Sequence, residues 1–221
     1  AVTVYLDGTT GSGGTAAGDE LRNIEHIAGS AFDDTILGDD GNNVLRGGDG
    51  ADTLDGGDGN DVADYRDSGE AVQVFLDGSN PNTGGTAEGD VLSNIERVYG
   101  SRFDDTITGD DGNNLFRGGD GADTLDGGDG NDTIYGGQGN DTIFGGADDD
   151  TIYDEAGDGE DDINGGEGTD TVIFDGIEND YEVSNNGDGT WEITDNSNSE
   201  TNYLSGIEIV QFGNDITLLA S

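Results

Sequence analysis

In two stretches of this chain, 29–67 and 100–174, the apolar positions return every nine residues. That period fits neither an amphipathic helix nor a simple alternating strand. The clearest run reads GGDGADTLD from Gly118, GGDGNDTIY from Gly127, GGQGNDTIF from Gly136 and GGADDDTIY from Gly145. Six residues rich in glycine and acid precede three whose middle member is always apolar. The six predict a turn, because glycine supplies the positive φ that tight bends need. The three predict a short strand with position eight turned inward and positions seven and nine outward. The inward set is Leu45, Leu54, Ala63, Ile107, Phe116, Leu125, Ile134, Ile143, Ile152, Ile163 and Val172. Nine residues make half a coil. Turns eighteen apart then stack on one edge, and strands on each face form parallel ladders.

Outside the repeats the pattern changes to period two. Val2, Val4 and Leu6 alternate with polar residues, as do Val72, Val74 and Leu76, predicting strands buried on one face. These lead-ins belong to an internal duplication. GDDGNNVLRGGDGADTLDGGDGND at 38–61 recurs at 109–132 with two changes, Val44 to Leu115 and Leu45 to Phe116. A segment L-x-N-I-E occurs at 21–25 and 92–96, and a third form, L-S-G-I-E, at 204–208 without repeats after it. The exits Asp61–Tyr65 and Asp170–Phe174 also align. The reading is a first lead-in and short roll over 1–71, a second lead-in and longer roll over 72–173, and a β cap over 174–221. In the cap, NGDG at 186–189 predicts a turn between two strand-like runs. A solenoid needs such an atypical end to cover its last coil.

Charge adds a metal to this picture. Lys and Arg number 6 against 51 Asp and Glu, a formal charge of −45. Self-repulsion of that size opposes a compact state, and one inward side chain per nine residues is a thin core. The acids recur at fixed places in glycine turns, so a cation bound only by the folded form is the expected remedy. Oxygen-only donors in small flexible loops suit calcium better than magnesium, which demands tight octahedral geometry. Nucleic acid is excluded as a partner by repulsion. Cysteine is absent, which removes disulfides and thiolate metal sites. No apolar run approaches the roughly 18 residues of a membrane span. Acids that recur periodically in glycine turns read as metal ligands rather than as a glycosidase's acid and base, and His26, the single histidine, reads as a surface residue.

The repeat G-G-x-G-x-D-x-U-x, with U apolar, resembles that of the RTX (hemolysin-type) proteins. The resemblance implies an all-β fold, a right-handed parallel β-roll in two blocks with a C-terminal cap. It implies calcium held between stacked turns by position-six aspartates and glycine-region carbonyls. Carried onto this chain, the aspartates are Asp34, Asp52 and Asp61 in the first block. In the second they are Asp105, Asp123, Asp132, Asp141, Asp150, Asp161 and Asp170. Asp34 pairs with Asp52, Asp105 with Asp123 and Asp141, and Asp132 with Asp150. Asp161 and Asp170 follow after two extra residues near Asp154 and Glu155. The carbonyls come from Gly47, Gly48, Gly50, Gly118, Gly119, Gly121, Gly127, Gly128, Gly130, Gly136, Gly137 and Gly139. Asn43 and Asn114 stand at position six of their repeats and remove a charge there. Counting adjacent turn pairs gives up to about eight ions.

The same resemblance implies a secreted, non-catalytic region that leaves through a type I secretion apparatus and folds on meeting calcium outside the cell. The acidic-then-apolar ending DITLLAS is similar to a type I signal. The lead-ins also resemble R-modules of mannuronan C-5-epimerases. That points to an alternative function, a calcium-dependent accessory module binding an alginate-like polysaccharide. The outward Tyr135, Phe144 and Tyr153, with Arg46 and Arg117, are its candidate surface.

Overall fold

The computed structural model describes residues 1–155, 159–213 and 215–219. The chain divides into two compact units, Ala1–Arg102 and Phe103–Ser221.

In the first unit β1 (Thr3–Tyr5), β3 (Thr35–Leu37), β5 (Thr53–Asp55) and β8 (Val91–Ser93) form one parallel ladder in that order. The other ladder runs β2 (His26–Ala28), β4 (Val44–Arg46), β6 (Val62–Asp64) and β9 (Arg97–Tyr99), also parallel. A further strand, β7 (Gln73–Phe75), belongs to the second lead-in. The second lead-in's β8 and β9 are therefore the last rungs of the first roll, with Leu54 opposite Leu92 and Ala63 opposite Val98.

The second unit repeats the plan with longer strands. One ladder contains β10 (Thr106–Thr108), β12 (Thr124–Asp129), β14 (Thr142–Ala147) and β16 (Asp162–Glu167). The other contains β11 (Leu115–Asp120), β13 (Thr133–Gln138), β15 (Thr151–Asp154) and β17 (Thr171–Phe174). Consecutive strands alternate between ladders, so each coil gives one rung to each, as an eighteen-residue coil requires. The register moves by 18 up to Thr133–Thr151 and by 20 from Thr151 to Thr171. The two extra residues thus fall between Asp154 and Asp161, and 156–158 lie outside the described residues.

Remaining elements close the second roll. β20 (Thr201–Ser205) pairs parallel with β16, and β21 (Ile209–Phe212) pairs parallel with β17. A hairpin of β18 (Tyr181–Asn185) and β19 (Thr190–Asp195) then runs antiparallel beside β20, turning at 186–189. β22 (Asp215–Leu218) folds back on β21. Phe174, Tyr181 and Phe212 pack together with ring centroids 4.9–5.5 Å apart.

Every position-eight residue of the inward set is buried to 1% exposure or less. In each unit the core takes one row of these side chains from each ladder. No helix is long and apolar enough to cross a membrane among the described residues.

Candidate metal centre

The position-six aspartates lie on the turn edges, and stacking makes them nearly solvent-free. Asp52, Asp61, Asp123, Asp132, Asp141, Asp150 and Asp170 are each exposed by 2% or less. One oxygen of each has a fixed task. The backbone N–H of position six in one coil donates to Oδ1 of position six in the next. Asp34 donates to Asp52 at 2.7 Å, Asn43 to Asp61 at 2.6 Å, and Asp105 to Asp123 at 2.7 Å. Asn114 donates to Asp132 at 2.7 Å, Asp123 to Asp141 and Asp132 to Asp150 at 2.8 Å. Asp141 to Asp161 and Asp150 to Asp170 continue at 2.9 Å across the two-residue insertion. The carboxylates form ladders along the roll, each satisfying a backbone donor that the turn leaves behind.

The second oxygen has none. Oδ2 of Asp52, Asp61, Asp123, Asp132, Asp141, Asp150 and Asp170 is buried without a hydrogen-bond donor among the described residues. A buried anionic oxygen without a partner is costly, by roughly several kcal/mol after relaxation. Burial accordingly raises these carboxyls, Asp123 to about 8 and Asp132 to about 7, with the charges of Asp141 and Asp150 respectively adding to the rise. Burial likewise lifts Asp141 and Asp150 to about 6. Asp52, Asp61 and Asp170 are raised by the same cause.

Each orphaned Oδ2 points at the first glycine of its own turn. A Cβ on Gly118 would overlap both Asp123 Oδ2 and the carbonyl oxygen of Gly136 in the next coil. The same cradle recurs at Gly127 with Asp132 and the Gly145 carbonyl, and at Gly145 with Asp150 and the Gly165 carbonyl. It recurs again at Gly165 with Asp170 and the Gly206 carbonyl, and at Gly56 with Asp61 and the Asn94 carbonyl. At Gly47 and Gly136 the carboxylate of Asp52 or Asp141 is the nearest neighbour. No group of three or more acidic, His or Cys side chains gathers at one point among the described residues. The donor set is one carboxylate oxygen with backbone carbonyls, hard oxygens at a site bearing net negative charge. This chemistry fits calcium.

Glycines two and four also stand where a side chain would collide with the coil below. Gly137 has φ +107°, and a Cβ there would overlap the Gly119 carbonyl of the coil below. Gly139 meets Gly121, Gly48 meets Ser30 and Gly128 meets Asp110 in the same way. The absence of side chains there lets turns stack, and the first-position carbonyls of Gly47, Gly127 and Gly136 face the position-six side chain of the preceding coil.

Asp34 differs from its repeats. Its own oxygens accept from Val2 N–H at 2.6 Å, Ser30 N–H at 2.6 Å and the Ser30 hydroxyl at 2.8 Å. Against the upward push of burial, these bonds hold Asp34 below its ordinary value. Asp105 and Asp161 are buried on the ladder as well. Asn43 and Asn114 use their side-chain oxygens to accept from Asp39 and Asp110 N–H, both at 2.9 Å.

Two sets of residues complete the site without standing out in the repeat formula. Position five carries Asp33, Asn42, Asp104, Asn113, Asn140 and Asp149, whose side-chain oxygens accept from the position-five N–H of the coil above at 2.8–3.3 Å. The ladders end on four side chains. Asp52 N–H donates to Asp90, Asp61 to Glu96, Asp161 to Asn202 and Asp170 to Glu208, at 2.7–2.9 Å. Glu96 and Glu208 are the glutamates of the L-x-[NG]-I-E segment, so its repetition was the available signal.

Two of the three outward aromatics occupy each other. Tyr135 and Tyr153 stack at 4.4 Å, and Arg117 lies over the Tyr135 ring at 4.6 Å. Both faces of Tyr135 are covered. Phe144 is 40% exposed. Arg46, at the place equivalent to Arg117, instead reaches the buried Asp64 at 2.5 Å and also pairs with Asp67.

A family model for the RTX calcium-binding nonapeptide repeat matches in four copies, over residues 28–63, 93–125, 117–152 and 155–176. No curated protein matches the chain.

Proposed function

The chain belongs to the RTX calcium-binding nonapeptide repeat family, and from that premise we propose that it is a non-catalytic β-roll region of a secreted protein that folds on meeting calcium. The observation that carries this reading is the row of seven buried Oδ2 atoms without donors. Bound calcium supplies the positive charge that these carboxylates lack. The residues that hold it are Asp61, Asp123, Asp132, Asp150 and Asp170, each with the facing carbonyl of the next coil, while Asp52 and Asp141 contribute carboxylates at further positions. That is seven sites, against up to about eight from adjacent turn pairs.

Oδ1 of each carboxylate stays with the backbone and sets the spacing of the coils, leaving only Oδ2 for a ligand. The same aspartates thereby order the roll and bind the ion. Without the ion, like charges stacked along one edge oppose closure of the turns. Extracellular calcium modules work at roughly 10⁻⁴–10⁻³ M. Sites of that strength are filled outside a cell, and RTX repeat proteins are typically secreted.

Calorimetric titration of the chelator-treated chain, followed by circular dichroism, tests the reading. Calcium uptake with gain of β signal is expected, and Asp132→Asn, which keeps Oδ1, weakens uptake about tenfold, or about 1.4 kcal/mol. A complete β signal in excess chelator would refute the coupling of folding to calcium.

A further inference from the structure

The L-x-[NG]-I-E segment occurs three times, and its backbone has the same shape each time. The central residue takes positive φ in all three, 54° at Asn23, 52° at Asn94 and 61° at Gly206. Asparagine and glycine are the residues that tolerate this conformation. In two of the three the segment closes a roll. The Asn94 carbonyl faces Gly56 and Asp61, while Glu96 accepts from Asp61 N–H at 2.8 Å. The Gly206 carbonyl faces Gly165 and Asp170, while Glu208 accepts from Asp170 N–H at 2.9 Å. The following isoleucines are buried, Ile95 to 4% and Ile207 to 6% exposure.

The first segment has the same equipment and closes nothing among the described residues. Ile24 is 36% exposed, and the Glu25 side chain is exposed with no donor among the described residues. Asp19, equivalent to Asp90, is exposed too, whereas Asp90 is buried between Asp52 N–H and the Tyr65 hydroxyl at 2.8 and 3.0 Å. Among the described residues β2 pairs only with β4, although its counterpart β9 accepts the preceding rung β6. Beside this open edge lies a recess of roughly 210 Å³ lined by Val4, Ala16, Asp19, Leu21 and Ile27 among others. At the equivalent place in the second lead-in, Tyr65 from the roll exit is 2% exposed and bonded to Asp90.

We propose that this face is a docking edge for the exit coil of a further β-roll, joined ahead of Val2 as residues 61–71 are joined ahead of Val72. The occupant has defined chemistry. It brings two strand rungs, two position-six N–H donors for Asp19 and Glu25, and an aromatic four residues past the last position six. Both exits of this chain, Asp61 to Tyr65 and Asp170 to Phe174, carry that aromatic, and both are already covered. The lead-in is thus a two-sided joint. Its first copy shows how it opens the roll after it, through β1–β3 and β2–β4. Its second shows how it closes the roll before it, through β5–β8 and β6–β9.

The test extends the full chain by a copy of residues 29–71 placed directly before Val2, reproducing the Ala71–Val72 junction. Hydrogen exchange is read in calcium at the amides of Glu20 and His26, whose counterparts Val91 and Arg97 donate to Asp52 and Asp61 carbonyls. Protection of both is expected to rise about tenfold or more over the unextended chain. Tyr→Ala at the copied exit tyrosine should remove much of that gain. Unchanged protection overturns the proposal, as does a graft that stays unfolded in calcium while the rest of the chain folds. Sedimentation of the unextended chain supplies the other outcome: a dimer that itself protects Glu20 and His26 would assign the face to a second copy and overturn it equally.

Discussion

Two segments that differ at two positions, 38–61 and 109–132, fold to different extents. In the first unit β4 and β5 are three residues long. In the second, β11 and β12 are six, because the Gly-Gly-x of the next turn joins the ladder, with Gly119 opposite Gly137 and Gly128 opposite Gly146. Local sequence cannot be the cause. A glycine pair extends a strand only when another glycine pair lies beside it, and the first roll is followed within one coil by its closing segment. Charge follows the same division. Five of the seven orphaned oxygens lie in the second unit and two in the first. The first unit meanwhile spends Arg46 and Arg66 on Asp64, which they hold at about 2 against the upward push of burial. The longer roll leans on a cation, and the shorter one leans in part on its own arginines.

The strongest way to break this comparison is to remove calcium. In excess chelator, amide protection over 106–172 should fall by on the order of 100-fold, and over 35–64 by distinctly less. Equal losses in hydrogen exchange would show that both units depend alike on metal.

Next in size is the stacking glycine. Gly137→Ala puts a Cβ at φ +107° into the Gly119 carbonyl and should destabilise the second unit by about 3 kcal/mol or more. Gly69→Ala, with nothing within 4 Å, should change thermal stability by no more than about 0.5 kcal/mol.

When metal is absent, carboxyls raised by burial in both units, Asp90 at about 7 in the first among them, should favour folding as pH falls from 8 to 5. Asp123, Asp132, Asp141 and Asp150 lie at about 8, 7, 6 and 6 when folded, above the ordinary 3.8. A raised carboxyl stabilises the fold below 3.8 and loses that contribution as pH rises through its folded value. Metal-free β signal from the second unit should therefore grow on acidification from pH 8 to pH 5. Asp64 has the reverse sign: its contribution is present above 3.8 and lost as pH falls towards 2. Residue-resolved exchange carried from pH 8 down to pH 2 would separate the two, because only the first unit loses the Asp64 contribution below 3.8, and parallel behaviour of both units there would erase the distinction.

The smallest effect concerns two arginines that sequence makes equivalent. Arg46→Ala removes one of two partners of a buried carboxylate and should cost about 1–3 kcal/mol. Arg117→Ala removes a contact over an outward ring and should cost about 0.5–1 kcal/mol. Thermal melts in calcium would rank them.

Much of this was readable from residues alone. Position eight needed only the nine-residue period, since an apolar residue flanked by polar ones in a short strand can face just one way. The aspartate pairs eighteen apart followed from the same count. Other features were not readable. Asp34 shares the repeat formula, yet Val2 and Ser30 occupy its oxygens. Glu96 and Glu208 lie outside the nine-residue frame, and their role shows only when the chain returns to the roll end. Position five looks arbitrary in the formula, because its partner is a backbone amide one coil away.

Sequence by itself determined the periodic parts: which side chains enter the core, where glycine must stand, and which carboxylates share an edge. These are consequences of chain geometry within one coil. Tertiary structure alone decided which oxygen of each carboxylate is left for an ion, how long each strand grows, and which of three similar turns has a roll to close. Those depend on the neighbouring coil, and a coil's neighbour is fixed by stacking rather than by the residues next to it in the chain.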